Sequence, residues 1–135
     1  MADNIFLEVV TPQKAVVSEE AQIVVAPGSE GEFGVLYGHT TFLTSLKVGT
    51  LRYKDASGKE RYLFVNGGFA EVLPNKVTLL AESAERRAEI NVDRAKLAKD
   101  RAEKRISSSS DDIDLVRAEA ALRRALHRLD IASVR

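Results

Sequence analysis

Short apolar runs, broken by Gly, Pro or Asn about every ten positions, fill residues 1 to 84. Ile5-Phe6-Leu7-Glu8-Val9-Val10 is closed by Thr11-Pro12, Ala15-Val16-Val17 follows, and Ala21-Gln22-Ile23-Val24-Val25 is closed by Pro27-Gly28. Further on come Thr50-Leu51-Arg52-Tyr53-Lys54, a Ser57-Gly58 turn, Arg61-Tyr62-Leu63-Phe64-Val65, Asn66-Gly67-Gly68, Phe69-Ala70-Glu71-Val72-Leu73, Pro74-Asn75 and Val77-Thr78-Leu79-Leu80. Runs of this length and punctuation predict an antiparallel sandwich or barrel.

The periodicity changes after residue 84. Asn91 is placed to N-cap a helix with Asp93 in its first turn, and Ala95, Ala98, Ala102 and Ile106 recur at steps of three and four. Ser107-Ser108-Ser109-Ser110-Asp111-Asp112 ends that helix, because short polar side chains compete for the backbone and favour turns and caps. Beyond it Leu115, Ala118, Leu122, Ala125, Leu129 and Ala132 form a second stripe over roughly 30 Å of helix. The reading is an antiparallel helical hairpin with a Leu/Ala seam. Ala buries far less than Leu, whose full burial is worth ~1.5–3 kcal/mol, so the hairpin is weak enough to open or to repack on a partner.

Composition supports a boundary at the same place. All eight Gly, all three Pro and all eight aromatic residues precede residue 84. Residues 1–84 carry 7 bases and 10 acids, a net of −3, whereas residues 85–135 carry 13 and 10, a net of +3. The chain therefore reads as α+β, mainly β: an antiparallel β-sandwich over 1–84 and a two-helix hairpin over 85–135. Zero net charge argues against nucleic acid as a partner. The absence of Cys removes disulfides, thiolate metal sites and thiol chemistry. Met1-Ala2-Asp3-Asn4-Ile5 has an acid where a signal peptide carries bases, and no apolar run reaches the ~18 residues of a membrane span, so the expectation is a cytoplasmic protein without membrane insertion.

Candidate chemistry is sparse. His39 and His127 lie in different halves without ligands at metal spacing, so no metal site is expected. No nucleophile elbow, Walker motif or paired acids occur, and no catalytic residue is assigned. Pro27-Gly28-Ser29-Glu30-Gly31-Glu32-Phe33-Gly34 is glycine-rich but acidic, which repels phosphate; it reads as turns flanking a strand or as a recognition loop. The promising constellation is cationic. Arg94 and Arg101 share a face of the first helix, and Arg117, Arg124 and Arg128 share one of the second. Guanidinium forks converging in a closed hairpin suit a polyphosphate, whereas in the plainer reading they are a solvated face whose stems cover the Ala seam.

Several segments in order resemble the epsilon subunits of bacterial F-type ATP synthases. They are Gly28-Ser29-Glu30-Gly31-Glu32-Phe33-Gly34-Val35 with Tyr37-Gly38-His39 and Phe42-Leu43-Thr44; Val65-Asn66-Gly67-Gly68-Phe69-Ala70-Glu71-Val72; Ala84-Glu85-Arg86; Arg94-Ala95; and Asp112-Ile113-Asp114 with Arg123-Arg124-Ala125-Leu126-His127-Arg128-Leu129. The resemblance implies a sandwich of about ten strands followed by a two-helix hairpin. It also implies a non-catalytic rotor subunit, at the cytoplasmic face of the bacterial plasma membrane, joining the gamma subunit to the ring of c subunits. Through extension of its hairpin into the alpha/beta catalytic head, such a subunit restrains ATP hydrolysis.

By the same resemblance Glu32 and His39 match positions facing the c ring. Some relatives bind regulatory ATP through Ile/Leu-Asp-x-x-Arg-Ala, for which this chain has Ile90-Asn91-Val92-Asp93-Arg94-Ala95. Asn91 keeps the N-cap but not the charge. Glu85, Arg101, Arg124 and Arg128 fill the other matching positions, so the implied ATP set is Glu85, Ile90, Asn91, Arg94, Ala95, Arg101, Arg124 and Arg128. The competing reading is a free-standing module that senses ATP by closing its hairpin; a stable complex with gamma separates the two.

Overall fold

The computed structural model describes residues 3–108 and 112–134, with the side chains of 112–114 set aside. The chain divides into two compact units, Met1–Arg87 and Ala88–Arg135.

In the first unit seven strands form in order: β1 (Ile5–Val10), β2 (Ala15–Gly28), β3 (Gly31–Val35), β4 (Phe42–Asp55), β5 (Glu60–Val72), β6 (Lys76–Ala81) and β7 (Ala84–Arg86). Neighbours run β1-β6-β5-β4-β2-β3, β7 adds to β5, and β1 also pairs with β2. The last pairing closes a ring of five strands, with β3 and β7 appended. The sandwich is thus a flattened barrel. All its pairings are antiparallel except β1–β6, which is parallel, a departure from the wholly antiparallel expectation. Strands so distant in the chain need no hairpin, so either direction is open to them.

Three strands are far longer than the runs read from the sequence. The stretches 15–17 and 21–25 are one 14-residue strand, β2, and Asn66-Gly67-Gly68 lies inside β5 instead of ending it. Gly and Pro mark bends here as well as ends. The β2–β4 register shifts between Val25 and Gly28, where Pro27 sits, and Gly67 and Gly68 take φ of +73° and +123°. A Cβ at Gly68 would run into the Leu80 carbonyl oxygen, so only glycine lets β5 cross β6 this closely. Seven continuous strands thus stand where about ten shorter ones are expected.

Ile5, Leu7 and Val9 of β1 point inward and join Val24, Leu51, Leu63, Val65, Val72, Val77 and Leu79 in one core, all fully buried. The β1–β2 turn is tied by Thr11, whose Oγ1 donates to the Lys14 carbonyl and accepts from the Gln13 and Lys14 amides. The β4–β5 turn is tied by Asp55. Its Oδ1 accepts from the Ser57 hydroxyl (2.6 Å), the Lys59 amide (2.9 Å) and the Ser57 amide (3.0 Å), and its Oδ2 from Arg61 Nε (3.1 Å). These donors, led by the Ser57 hydroxyl, hold the Asp55 carboxyl at about 2.

The second unit holds α1 (Val92–Ser108) and α2 (Asp112–Ser133), packed on one another. Asn91 Oδ1 accepts the Arg94 amide at 3.0 Å, while the Asn91 carbonyl accepts the Ala95 amide, which is the expected N-cap. Ser109, Ser110 and Asp111, at the centre of the expected turn, lie outside the described residues. The seam is as small as the sequence reads: Ala95, Ala102, Ala118 and Ala125 are all at most 4% exposed, and Ile131 is buried near the end of α2.

Candidate functional site

The strands present two outer features. At the β3 end Glu32 Oε1 accepts from Arg52 Nη2 at 3.0 Å, so its carboxylate is held in an exposed ion pair. Phe33, one residue on, meets the Phe42 ring edge-on at 5.2 Å, and His39 lies 5.3 Å from Phe42, its Nδ1 donating to the Thr40 carbonyl at 2.8 Å. The acidic strand and the histidine loop are therefore linked through two aromatic rings. The stretch read as turns flanking a strand contains all of β3 but Val35.

The second feature was not legible in the sequence. Phe69 of β5 stands opposite Leu80 of β6, and Leu80 opposite Val10 of β1; Leu43 of β4 pairs with Glu71, two residues along from Phe69 on the same face. Leu43 is 71%, Phe69 57% and Leu80 56% exposed. They form an apolar row across four strands of the outer surface. In Val77-Thr78-Leu79-Leu80 both leucines look like core, yet only Leu79 is.

The end of the sandwich is clamped. Arg86, last residue of β7, donates from Nε to the Val16 carbonyl at 3.2 Å, and its Nη2 lies 3.8 Å from Glu19. Tyr53, 2% exposed, donates to Glu19 at 3.0 Å. Burial, then the hydrogen bond to Glu19, raises the tyrosine pKa. Any division of the chain for experiment therefore belongs after Arg87, since a cut at 84 removes β7 from β5.

Of the residues matching the ATP set, Glu85 lies in the first unit, on β7 opposite Phe64. The other seven belong to the second. Ile90 and Ala95 are buried, Asn91 caps α1, Arg94 and Arg101 are exposed, and Arg124 and Arg128 are half-buried on α2. Helix geometry brings the arginines to one side. Each of Arg94, Arg101 and Arg124 immediately precedes a buried seam alanine, so it stands about 100° from the seam. In an antiparallel pair the residues preceding the seam on both helices flank the same edge. Among the described residues no group of three or more acids or histidines could hold a metal ion, and no helix is long and apolar enough to cross a membrane.

Comparison with known proteins fits both units. The family described as ATP synthase, Delta/Epsilon chain, beta-sandwich domain matches residues 4–87, and its long alpha-helix domain matches residues 88–133. The chain belongs to the ATP synthase delta/epsilon family. A relative named ATP synthase epsilon chain in Desulforapulum autotrophicum is 76% identical over 135 residues, the whole of both chains. Another epsilon chain, from Nitratidesulfovibrio vulgaris, is 55% identical over 131 residues, 97% of each. Among solved structures, a chain of the Euglena gracilis mitochondrial ATP synthase OSCP/F1/c-ring assembly superposes with a TM-score of 0.83 at 27% identity, over 96% of this chain and 81% of that one. A chain of the Tetrahymena thermophila mitochondrial ATP synthase, at TM-score 0.64 and 14% identity over 98% of both, shares the fold. Epsilon chains are non-catalytic subunits of ATP synthase, in keeping with the lack of any catalytic constellation in the sequence.

Proposed function

We propose that this chain is the epsilon subunit of the rotor's central stalk, at the cytoplasmic face of the plasma membrane. Its sandwich docks on gamma through the Val10–Leu80–Phe69–Leu43 row and meets the c ring through Glu32 and His39. The observation that carries the reading is that row. Four apolar side chains on one outer surface of a small sheet, with three of them more than half exposed, mark a protein interface. Glu32 and His39, joined by the Phe33–Phe42 pair, supply a polar surface suited to polar ring loops.

The hairpin acts as the regulatory element. Folded, it binds ATP with Ile90, Asn91, Arg94, Ala95, Arg101, Arg124 and Arg128. Extended, it reaches the alpha/beta head and restrains hydrolysis. ATP favours the folded state by its higher affinity for that state. The small seam supports this, because the four alanines at its centre bury little area, and a weakly held hairpin is easier to open.

The test is assembly. The chain truncated after Arg87 should form a one-to-one complex with gamma, since the first unit has its own core. When this complex is rebuilt into the synthase, loss of the hairpin should raise ATP hydrolysis. Failure of both the full chain and the truncation to bind gamma overturns the rotor reading and leaves the free-standing ATP sensor.

A further inference from the structure

The α1 start Ile90-Asn91-Val92-Asp93-Arg94-Ala95 recurs 23 residues later as Ile113-Asp114-Leu115-Val116-Arg117-Ala118. The repeat continues: Arg101-Ala102 and Arg105 on α1 answer Arg124-Ala125 and Arg128 on α2. Each helix thus carries arginines at successive steps of seven and four. The second copy keeps the carboxylate, Asp114, that the first replaces with Asn91.

An antiparallel hairpin turns this repeat into two like clusters. The four alanines are buried, and matching them across an antiparallel pair puts Ala95 level with Ala125 and Ala102 level with Ala118. Helices that end at Ser108 and restart at Asp112 require the same register. Arg94 then falls midway between Arg124 and Arg128, and Arg117 midway between Arg101 and Arg105, each about 3 Å of helix rise from its neighbours. All six lie on one edge. Glu103 and Glu119 follow seam alanines and so flank the opposite edge, where Glu103 pairs with Lys99 at 3.9 Å.

The first cluster belongs to the proposed nucleotide set; the second, apart from Arg101, does not. Arg101, Arg105 and Arg117 are all exposed and make no ion pair among the described residues. Three guanidinium forks within a span of about 6 Å match a compact multivalent oxyanion, which takes several paired donors at once.

We propose that Arg101, Arg105 and Arg117 form a second phosphoryl-oxyanion site, related to Arg94, Arg124 and Arg128 by the repeat, and present only while the hairpin is closed. Its ligand is free inorganic phosphate or the phosphate groups of a nucleotide. The proposal rests on hairpin closure and stands whether or not ATP occupies the first cluster.

The test follows the guanidinium Nε resonances of the full-length chain while pyrophosphate, orthophosphate and ATP are added in separate titrations. Sodium chloride at matched ionic strength is the reference. Saturable shifts are expected at Arg105 and Arg117, which lie outside the proposed nucleotide set, and with pyrophosphate and orthophosphate also at Arg101. The paired change Arg105→Gln and Arg117→Gln should weaken that binding at least about tenfold, or 1.4 kcal/mol, while Arg94 still responds. Arg105→Lys with Arg117→Lys, which keeps the charge and loses the forks, should fall between. Saturation by orthophosphate alone identifies free phosphate as the ligand; saturation only by ATP identifies nucleotide phosphates. Arg94→Gln with Arg124→Gln should abolish a nucleotide response at the first cluster and spare the second, so the two readings fail separately. Equal shifts with chloride, or pyrophosphate affinity unchanged by the glutamines with helical circular dichroism intact, would overturn the proposal.

Discussion

Replacing Phe69 and Leu80 by serine tests the row proposed to face gamma, with a magnitude set by their exposure. A Phe side chain carries ~150–250 Å², so at 57% exposure Phe69 offers about 110 Å² to a partner. At ~25 cal/mol/Å² its full coverage is worth ~3 kcal/mol, and Leu80, at 56%, adds ~1 kcal/mol. The cost of association is common to parent and variant and cancels in the difference. Allowing for incomplete coverage, Phe69→Ser should weaken gamma binding by ~2 kcal/mol, about thirtyfold, and the double change by about a hundredfold. The two side chains are cross-strand neighbours, so their effects need not add. Neither reaches the core, and the thermal midpoint of the free chain should move little. The assay is calorimetric titration of the chain into purified gamma. A double variant that binds within twofold of the parent refutes the reasoning.

Four further outcomes follow from the structure. Asp55, lowered to about 2 from 3.8, contributes stability that is complete above about pH 4 and lost as the pH falls through about 2; Asp55→Asn should flatten that acid limb in thermal scans between about pH 5 and pH 2. Gly68→Ala meets both the positive φ and the Leu80 carbonyl, so it should cost at least ~1–3 kcal/mol in urea unfolding. Leu79→Ala, emptying a fully buried position, should cost ~2–5 kcal/mol, and an effect below 1 kcal/mol would show that the barrel collapses around the gap. Asn91→Asp should leave the cap on Arg94 intact and tighten ATP binding; unchanged affinity by calorimetry would remove residue 91 from the nucleotide site.

What the sequence made legible was local. The apolar run at β1, the cap at Asn91 and the seam at Ala95, Ala102, Ala118 and Ala125 each follow from a periodicity or a side-chain preference that acts over a few residues. The continuity of β2 and β5 was hidden because Pro27 and Gly67-Gly68 read as stops, and only the sheet shows that the chain bends there and carries on. The exposed apolar row was hidden for a different reason. A strand with both faces apolar has lost the alternation that distinguishes inside from outside, so Leu79 and Leu80 could not be told apart. The second arginine cluster was visible as a repeat at 113–118. Its meaning depended on the register of the two helices, which no single helix encodes.

Under the proposed regulation, the composition of the hairpin makes an anion a suitable control signal. The four seam alanine methyls contribute about 3 kcal/mol to closure at ~0.8 kcal/mol each, beside what buried Ile131 and the half-buried Leu115, Leu122 and Leu129 add. Closure also gathers six arginines on one edge, and at the ~6 Å typical of neighbours on a helix surface each like-charged pair costs ~0.7 kcal/mol in water before salt screening. Repulsion within the two triads thus approaches the contribution of the four alanines. An oxyanion at a hundred times its dissociation constant adds ~2.7 kcal/mol to the state that binds it, a term of the same size. Replacing the alanines by leucine would not simply strengthen the seam, because helices packed on alanine have no room for the larger side chain, and overpacking costs ~1–3 kcal/mol. In the proposed regulation the small residues therefore do two things together: they bring the arginine rows close enough to share a ligand, and they limit their own contribution to closure to a size that ligand can match.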